Sequence, residues 1–123
     1  MVAILDHMTA LADPIRCRML MLLEKHELTV SELCAVLQMP QSSVSRQLKT
    51  LADDNWITSR RDATSRYYTM PFDDLDSAAS RLWPLIREQV SSTTAAAHDE
   101  RRLRGVLDRR RVKSREFFAT AAG

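Results

Sequence analysis

Apolar residues recur at helical spacing through most of the chain. From Val2 to Leu11, the residues Ile4, Leu5, Met8 and Leu11 fall on one side of a helix with no breaker among them. Asp13 followed by Pro14 supplies an N-cap and a first-turn proline, and Ile15, Met19, Leu22 and Leu23 carry a 3.6-residue period on to about Lys25 or His26. Thr29-Val30-Ser31-Glu32 has the form of a capping box. It opens a short helix through Leu33, Cys34 and Leu37 that stops at Gln38-Met39-Pro40, because proline forces the residue before it out of helical geometry. A fourth helix is predicted from about Gln41 to Asp53. After Asp54-Asn55 the pattern becomes strand-like: Trp56 to Ser59 and Arg66 to Met70, separated by a polar break from Arg60 to Ser65, predict a two-stranded hairpin. Pro71 ends it. Asp73, Asp74 and Asp76 crowd the start of a further helix, where carboxylates suit the dipole; Leu75, Ala79, Leu82, Ile86 and Val90 form its apolar stripe and Pro84 is expected to kink it. Ser91 to Thr94 is read as a cap or hinge before a final helix from about Ala95 to Arg115.

The predicted architecture is mainly α: about five to six helices and a two-stranded β-hairpin, divided into residues 1–90 and a basic C-terminal helix or linker over residues 91–123. Helices three and four, joined by three or four residues, match the helix-turn-helix, in which the second helix enters the DNA major groove and the first braces it. At about 100° per residue, Val44, Leu48 and Leu51 fall on one side of the fourth helix, while Gln41, Ser42, Ser45, Arg46 and Lys49 share an arc of about 140°. Gln41 can pair with an adenine edge, and Arg46 can fork onto guanine or phosphate. The small serines, Ser43 included, allow close approach, and Lys49 reaches backbone phosphate. Arg60, Arg61 and Arg66 flank the hairpin tip and can touch phosphates or the adjacent minor groove. Polar residues on the outside of an amphipathic helix are ordinarily just solvated; here the capping box, the short turn and the hairpin that follows favour recognition. Tyr67 and Tyr68 point to opposite faces of their strand, and which of them faces inward is left open.

Charge refines this picture. Residues 1–100 hold 10 basic and 14 acidic side chains, whereas residues 101–123 hold 8 and 2, so any nucleic-acid surface on the main body must come from local placement rather than bulk charge. Arg101, Arg102, Arg104, Arg109, Arg110, Arg111, Lys113 and Arg115 make the last helix basic around a thin apolar seam of Leu103, Val106 and Leu107. A solvated linker, a docking or dimer-extending surface, and non-specific DNA contact all fit that seam, with the linker first among them. Gly105 and Gly123 are the only glycines, so no glycine-rich loop can cradle a nucleotide phosphate. His7, His26 and His98 are scattered, and Ser42 to Ser45 lack a neighbouring base, so no enzyme is expected. Cys17 and Cys34 stand apart and read as buried free thiols. The longest apolar run, Met19 to Leu23, is far short of the roughly 20 residues that span a bilayer, and the expected location is the cytoplasm.

LADPIRCRMLMLL, ELTVSELCAVLQMPQSSVSRQLKTL and NWITSRRDATSRYY together resemble the second helix, helix-turn-helix and wing of the ArsR/SmtB family of winged-helix repressors. The resemblance covers about half the chain. It implies a homodimer that binds an operator in double-stranded DNA and leaves it when an effector arrives. Thr29 and Ser31 stand where arsenic sensors of that family carry Cys-x-Cys, and Cys34 matches only a third, nearby cysteine. Asp74 and Asp76 have no histidine beside them, and His98 and Glu100 stand alone in the next segment, so no metal and no cofactor is expected. SRLWPLIREQV, AAAHDERRLRGVLDRRR and KSREFFATAAG resemble the segment after the DNA-binding domain in ArsR-type proteins fused to an S-adenosylmethionine-dependent methyltransferase. That likeness implies the front half of a two-domain regulator, with S-adenosylmethionine or S-adenosylhomocysteine as its effector if such a domain follows.

The first helix and the stripe after the hairpin exceed what a small core covers, which predicts a dimer interface of Leu5, Met8, Leu75, Ala79, Leu82, Trp83, Ile86 and Val90, with Trp83 and Leu82 as anchors. The same residues could instead complete the monomer's own core. The functional expectation is a sequence-specific repressor on a palindromic operator. The alternative is a winged helix serving only as a dimerisation or protein-interaction module for an attached methyltransferase.

Overall fold

Local capping chemistry sets most of the chain reversals. The computed structural model describes residues 3–122, with side chains as far as Arg115; the side chains of KSREFFATAAG beyond that point, which carry much of the methyltransferase resemblance, lie outside the described residues. After α1 (Ala3–Leu11), the Asp13 carboxylate accepts from the Ile15 and Arg16 N–H groups at 2.8 and 3.2 Å and opens α2 (Pro14–Lys25). At α3 (Val30–Leu37) the capping box is complete: the Glu32 N–H donates to Thr29 Oγ1 at 3.2 Å, and the Thr29 N–H donates to the Glu32 carboxylate at 2.9 Å. Gln38, at a left-handed φ of 57°, ends α3, and α4 (Gln41–Asp53) starts three residues later. Asp54 closes α4, Asn55 follows at a left-handed φ of 65°, and the Trp56 N–H folds back onto the Leu51 carbonyl at 2.9 Å.

Strands β1 (Thr58–Asp62) and β2 (Ser65–Thr69) pair antiparallel from Thr58↔Thr69 to Asp62↔Ser65. The hairpin is longer than its hydropathy suggests. The turn is Ala63-Thr64 alone, and Arg60 and Arg61, expected in the polar break, lie within the ladder. Every residue of β1 is exposed, so neither face needs apolar side chains and no alternation marks the strand. Tyr68 holds the base of the hairpin to the body through paired backbone bonds with Leu28 at 2.9 and 3.1 Å. Asp73 and Asp74 belong to a single 3-10 turn (Phe72–Asp74) rather than to the next helix. Asp76 alone caps α5 (Ser77–Ser91), accepting from the Ala79 N–H at 2.8 Å, and α5 runs past Pro84 as one helix.

The Thr93 hydroxyl accepts from the Ala96 N–H at 3.2 Å at the start of α6 (Thr94–Ala122). The first half of this helix is packed on the body, whereas residues 111–115 are exposed. Leu103 and Val106 are buried in the same core as Leu20, Leu23, Leu33, Val36, Val44, Leu51 and Trp56, a burial that contributes about 1.5–3 kcal/mol per side chain. Polar ties reinforce the docking. The Arg18 guanidinium of α2 donates twice to buried Asp99, at 2.7 and 2.8 Å, and Arg110 meets Glu32 of α3. No helix among the described residues is long and apolar enough to cross a membrane.

Candidate nucleic-acid interface

Helix α4 divides cleanly by face. Val44, Leu48 and Leu51 are buried against the body, and Gln41, Ser42, Ser45, Arg46 and Lys49 are exposed; Ser43 sits half-buried at the margin. Apolar packing holds the inner side, and the outer polar groups face solvent. Among the described residues, the side chains of Gln41, Ser42, Ser45 and Arg46 have no hydrogen-bond or ion-pair partner. Lys49 meets Asp53 at 2.9 Å, but both are well exposed, and such a pair is worth a few tenths of a kcal/mol and is readily exchanged. A tie missed by the sequence reading fixes the rear of the helix: Arg16 donates to Gln47 at 2.8 Å and to the carbonyls of Thr9 and Ala10, linking α2, α4 and the end of α1. Nothing in the local pattern around Arg16 signals a partner 31 residues away.

The hairpin arginines divide into two kinds. Arg60 donates to both carboxylate oxygens of Glu27, at 2.7 and 3.1 Å, and lies over the Tyr67 ring at 5.0 Å. The same ring receives Arg110 of α6 at 5.7 Å. Arg61 and Arg66 are direct cross-strand partners and both exposed, with Arg66 donating to Ser59 Oγ at 2.9 Å. Like charges placed opposite one another destabilise a ladder unless an anion sits between or beside them. Tyr68 packs against the core, which answers the question left open by strand alternation.

The sequence profile described as "Bacterial regulatory protein, arsR family" matches residues 13–59, from the cap of α2 to the first residues of β1. The transcriptional regulator HlyU from Vibrio vulnificus is 32% identical, with a TM-score of 0.58 over 69% of this chain and 84% of that one. The chain belongs to the arsR family of bacterial regulatory proteins. The "Transcriptional repressor SmtB homolog" of Synechocystis sp. is 35% identical over 65 residues, 53% of this chain, and the match spans about half the length of that relative. The winged helix-turn-helix domain of Mb0332 from Mycobacterium bovis shares the fold, with a TM-score of 0.60 at 23% identity over 75% of this chain and 82% of that one. This arsR-family chain therefore has the winged-helix, DNA-binding fold of transcriptional regulators, as its six helices and two-stranded sheet show.

The expected dimer residues of this arsR-family chain divide as well. Leu5 and Met8 on α1 are 54% and 50% exposed. Ala79 and Trp83 are instead fully inside the monomer, one helical turn apart on the inner face of α5. The Trp83 ring packs edge-on to Trp56 at 6.4 Å, and its Nε1–H donates to Glu24 at 3.1 Å, so neither residue is available as an interface anchor. Leu75, Leu82, Ile86 and Val90 are half-buried against the core. The outward apolar residue of α5 is Leu85, 59% exposed, which lies off the stripe read from the sequence.

Thr29 and Ser31 are taken up in and beside the α3 cap, their hydroxyls 3.3 Å apart. Cys17 is buried, its Sγ donating to the Leu11 carbonyl at 3.1 Å, and burial pushes its thiol pKa up; Cys34, expected buried, is only half-buried. Among the described residues no group of three or more His, Cys, Asp or Glu is placed to hold a metal ion. Burial pushes the Glu32 carboxyl upward, but Arg110 and the Thr29 N–H outweigh it and hold the group below the usual glutamate range.

Proposed function

We propose that this chain is a homodimeric repressor that binds a palindromic operator in the cytoplasm. Gln41, Ser42, Ser43, Ser45 and Arg46 face base edges in the major groove, with Lys49 on the phosphate backbone. Arg61 and Arg66 take phosphates beside the groove, and Arg60 sets the angle of the wing through Glu27. The observation that carries this reading is the outer face of α4: exposed Gln41, Ser42, Ser45 and Arg46 side chains without partners among the described residues, on a helix whose opposite side is locked into the core. The facing Arg61–Arg66 pair adds a site that a phosphate would relieve. For the dimer, α1 and α5 pack on each other and together present Ile4, Leu5, Met8 and Leu85 to solvent. The homodimeric state of the Mb0332 domain and the repressor role of the SmtB homolog support the assignment.

Selection of bound sequences from a random duplex pool tests it. The expected outcome is a palindrome with half-site centres about one DNA turn, roughly 34 Å, apart. Equal affinity for every duplex would reject the sequence-specific reading.

A further inference from the structure

His7 lies on α1, one of the two helices assigned above to the dimer, yet its ring points away from that surface. It is 5% exposed, and both ring nitrogens meet carboxylates from other elements: Nδ1 faces Asp54 Oδ2 at 2.6 Å, and Nε2 faces Asp76 Oδ2 at 2.8 Å. Asp54 is the residue that closes α4, and Asp76 is the N-cap of α5. The imidazole also packs edge-on to Trp56 at 5.3 Å, the residue whose N–H ties off the end of α4. One side chain of α1 thus touches the residues that follow α4 and the N-cap of α5.

Carboxylates only accept, so each short contact needs a proton on the facing nitrogen, and only the doubly protonated imidazolium can donate to both. We propose that His7 is a positioning residue whose imidazolium ties α1 and α5 to the C-terminal end of α4, so that loss of one ring proton releases the recognition helix from the helices that carry the dimer. The part of this that concerns operator affinity rests on the DNA-binding reading above; the tie itself does not.

Other charges near the three elements are engaged elsewhere or turned outward. Asp13 caps α2, Arg16 of α2 lies on the α1 carbonyls and Gln47, and Asp53 pairs with Lys49. Arg87 of α5 pairs with Glu24, and Asp6, Asp73 and Asp74 make no contact with the ring. The ionic balance at His7 is therefore set by Asp54 and Asp76. Burial alone would lower the histidine's pKa, but hydrogen bonds first to Asp54 and then to Asp76 outweigh it and raise the group above its ordinary 6.5. Asp76 is held below the usual aspartate range, first by the Ala79 N–H and then by His7. A histidine raised in this way stabilises the folded arrangement fully below the unfolded value near 6.5, and that contribution is lost as pH rises through the folded value.

The experiment combines a proton NMR titration of the histidine rings between pH 5 and 9.5 with operator affinity over the same range. It uses the wild type, His7→Gln, Asp54→Asn and Asp76→Asn, with the duplex selected above as the probe. Asp76→Asn keeps a side chain able to cap α5, and each asparagine variant removes one charge. The expected result is a ring signal, absent in His7→Gln, that titrates above 6.5, moves lower in each asparagine variant, and is followed at the same midpoint by the Asp54 and Asn55 amides. Operator affinity should fall about tenfold across that midpoint in the wild type, the effect of a one-unit difference between bound and free protein, and should be flat in His7→Gln. A His7 ring titrating at or below 6.5, or amides of the α4 terminus indifferent to it, overturns the tie. The same pH dependence in His7→Gln as in wild type overturns the coupling to DNA. If no duplex is bound at any pH, the DNA reading fails while the NMR titration still decides the tie, and if His7→Gln does not fold, the asparagine variants carry both tests.

Discussion

Helix α4 and helix α6 are both polar and partly exposed, but they are fastened in opposite ways. α4 is held by Val44, Leu48 and Leu51 and turns its hydrogen-bonding groups outward. α6 is held as much by polar groups as by Leu103 and Val106: Asp99 receives Arg18, Arg102 donates to the Val36 carbonyl at 3.4 Å, and Arg110 is shared among Glu32, the Glu27 carbonyl and the Tyr67 ring. The helix with more cations is thus the one whose inward cations are already engaged within the fold. Its outward arginines, Arg101 and Arg104, stand on the side away from the buried seam of Leu103 and Val106. Charge density points to α6 as a nucleic-acid surface; the engagement of each charge points to α4 and the outer face of the hairpin.

The largest expected effect breaks the α6 side of this contrast. Arg18→Ala leaves the buried Asp99 carboxylate with only the longer Arg102 contact at 3.8 Å and should cost about 3 kcal/mol of stability in urea denaturation, whereas the double replacement Arg18→Met with Asp99→Leu should recover most of it. A loss under about 1 kcal/mol for Arg18→Ala would mean that the pair does not fasten α6. The next effect sharpens the α4 side: Arg46→Ala should weaken operator binding by about 1–3 kcal/mol at particular base pairs, while Arg104→Ala should leave base preference unchanged, measured by competition at one salt concentration. Equal losses from both would erase the distinction. The smallest effect concerns the wing. Ala63→Gly relieves a left-handed residue at φ 55° and, after glycine's extra chain entropy, should raise stability by about 0.5–1 kcal/mol, seen as a higher Tm with operator sequence preference unaltered.

What could be read from the sequence alone follows the range of the interactions. The caps at Asp13, Thr29–Glu32 and Asp76 act within three residues, so α2, α3 and α5 begin at or next to the residues their sequences indicate, and the amphipathic split of α4 is visible in its own 13 residues. The expected face Gln41, Ser42, Ser45, Arg46 and Lys49 is indeed outward, because the side opposite Val44, Leu48 and Leu51 has nothing else to face. Most of the failures are long-range. Trp83 is drawn inward by Trp56 and Glu24, 27 and 59 residues away in sequence. Arg60 is occupied by Glu27, and His7 meets carboxylates 47 and 69 residues on. Strand β1 is only partly visible in the sequence because an exposed ribbon has no apolar rhythm to display.

Tyr67 is held from two sides, by Arg60 of its own ribbon and by Arg110 of the final helix. Both guanidiniums also reach Glu27, one through its carboxylate and one through its carbonyl, so this knot moors the arm of the hairpin to the trunk beyond the backbone bonds at its base. Lifting the last helix from its seat would therefore remove one of the two guanidiniums from that ring and the bond to the Glu27 carbonyl with it.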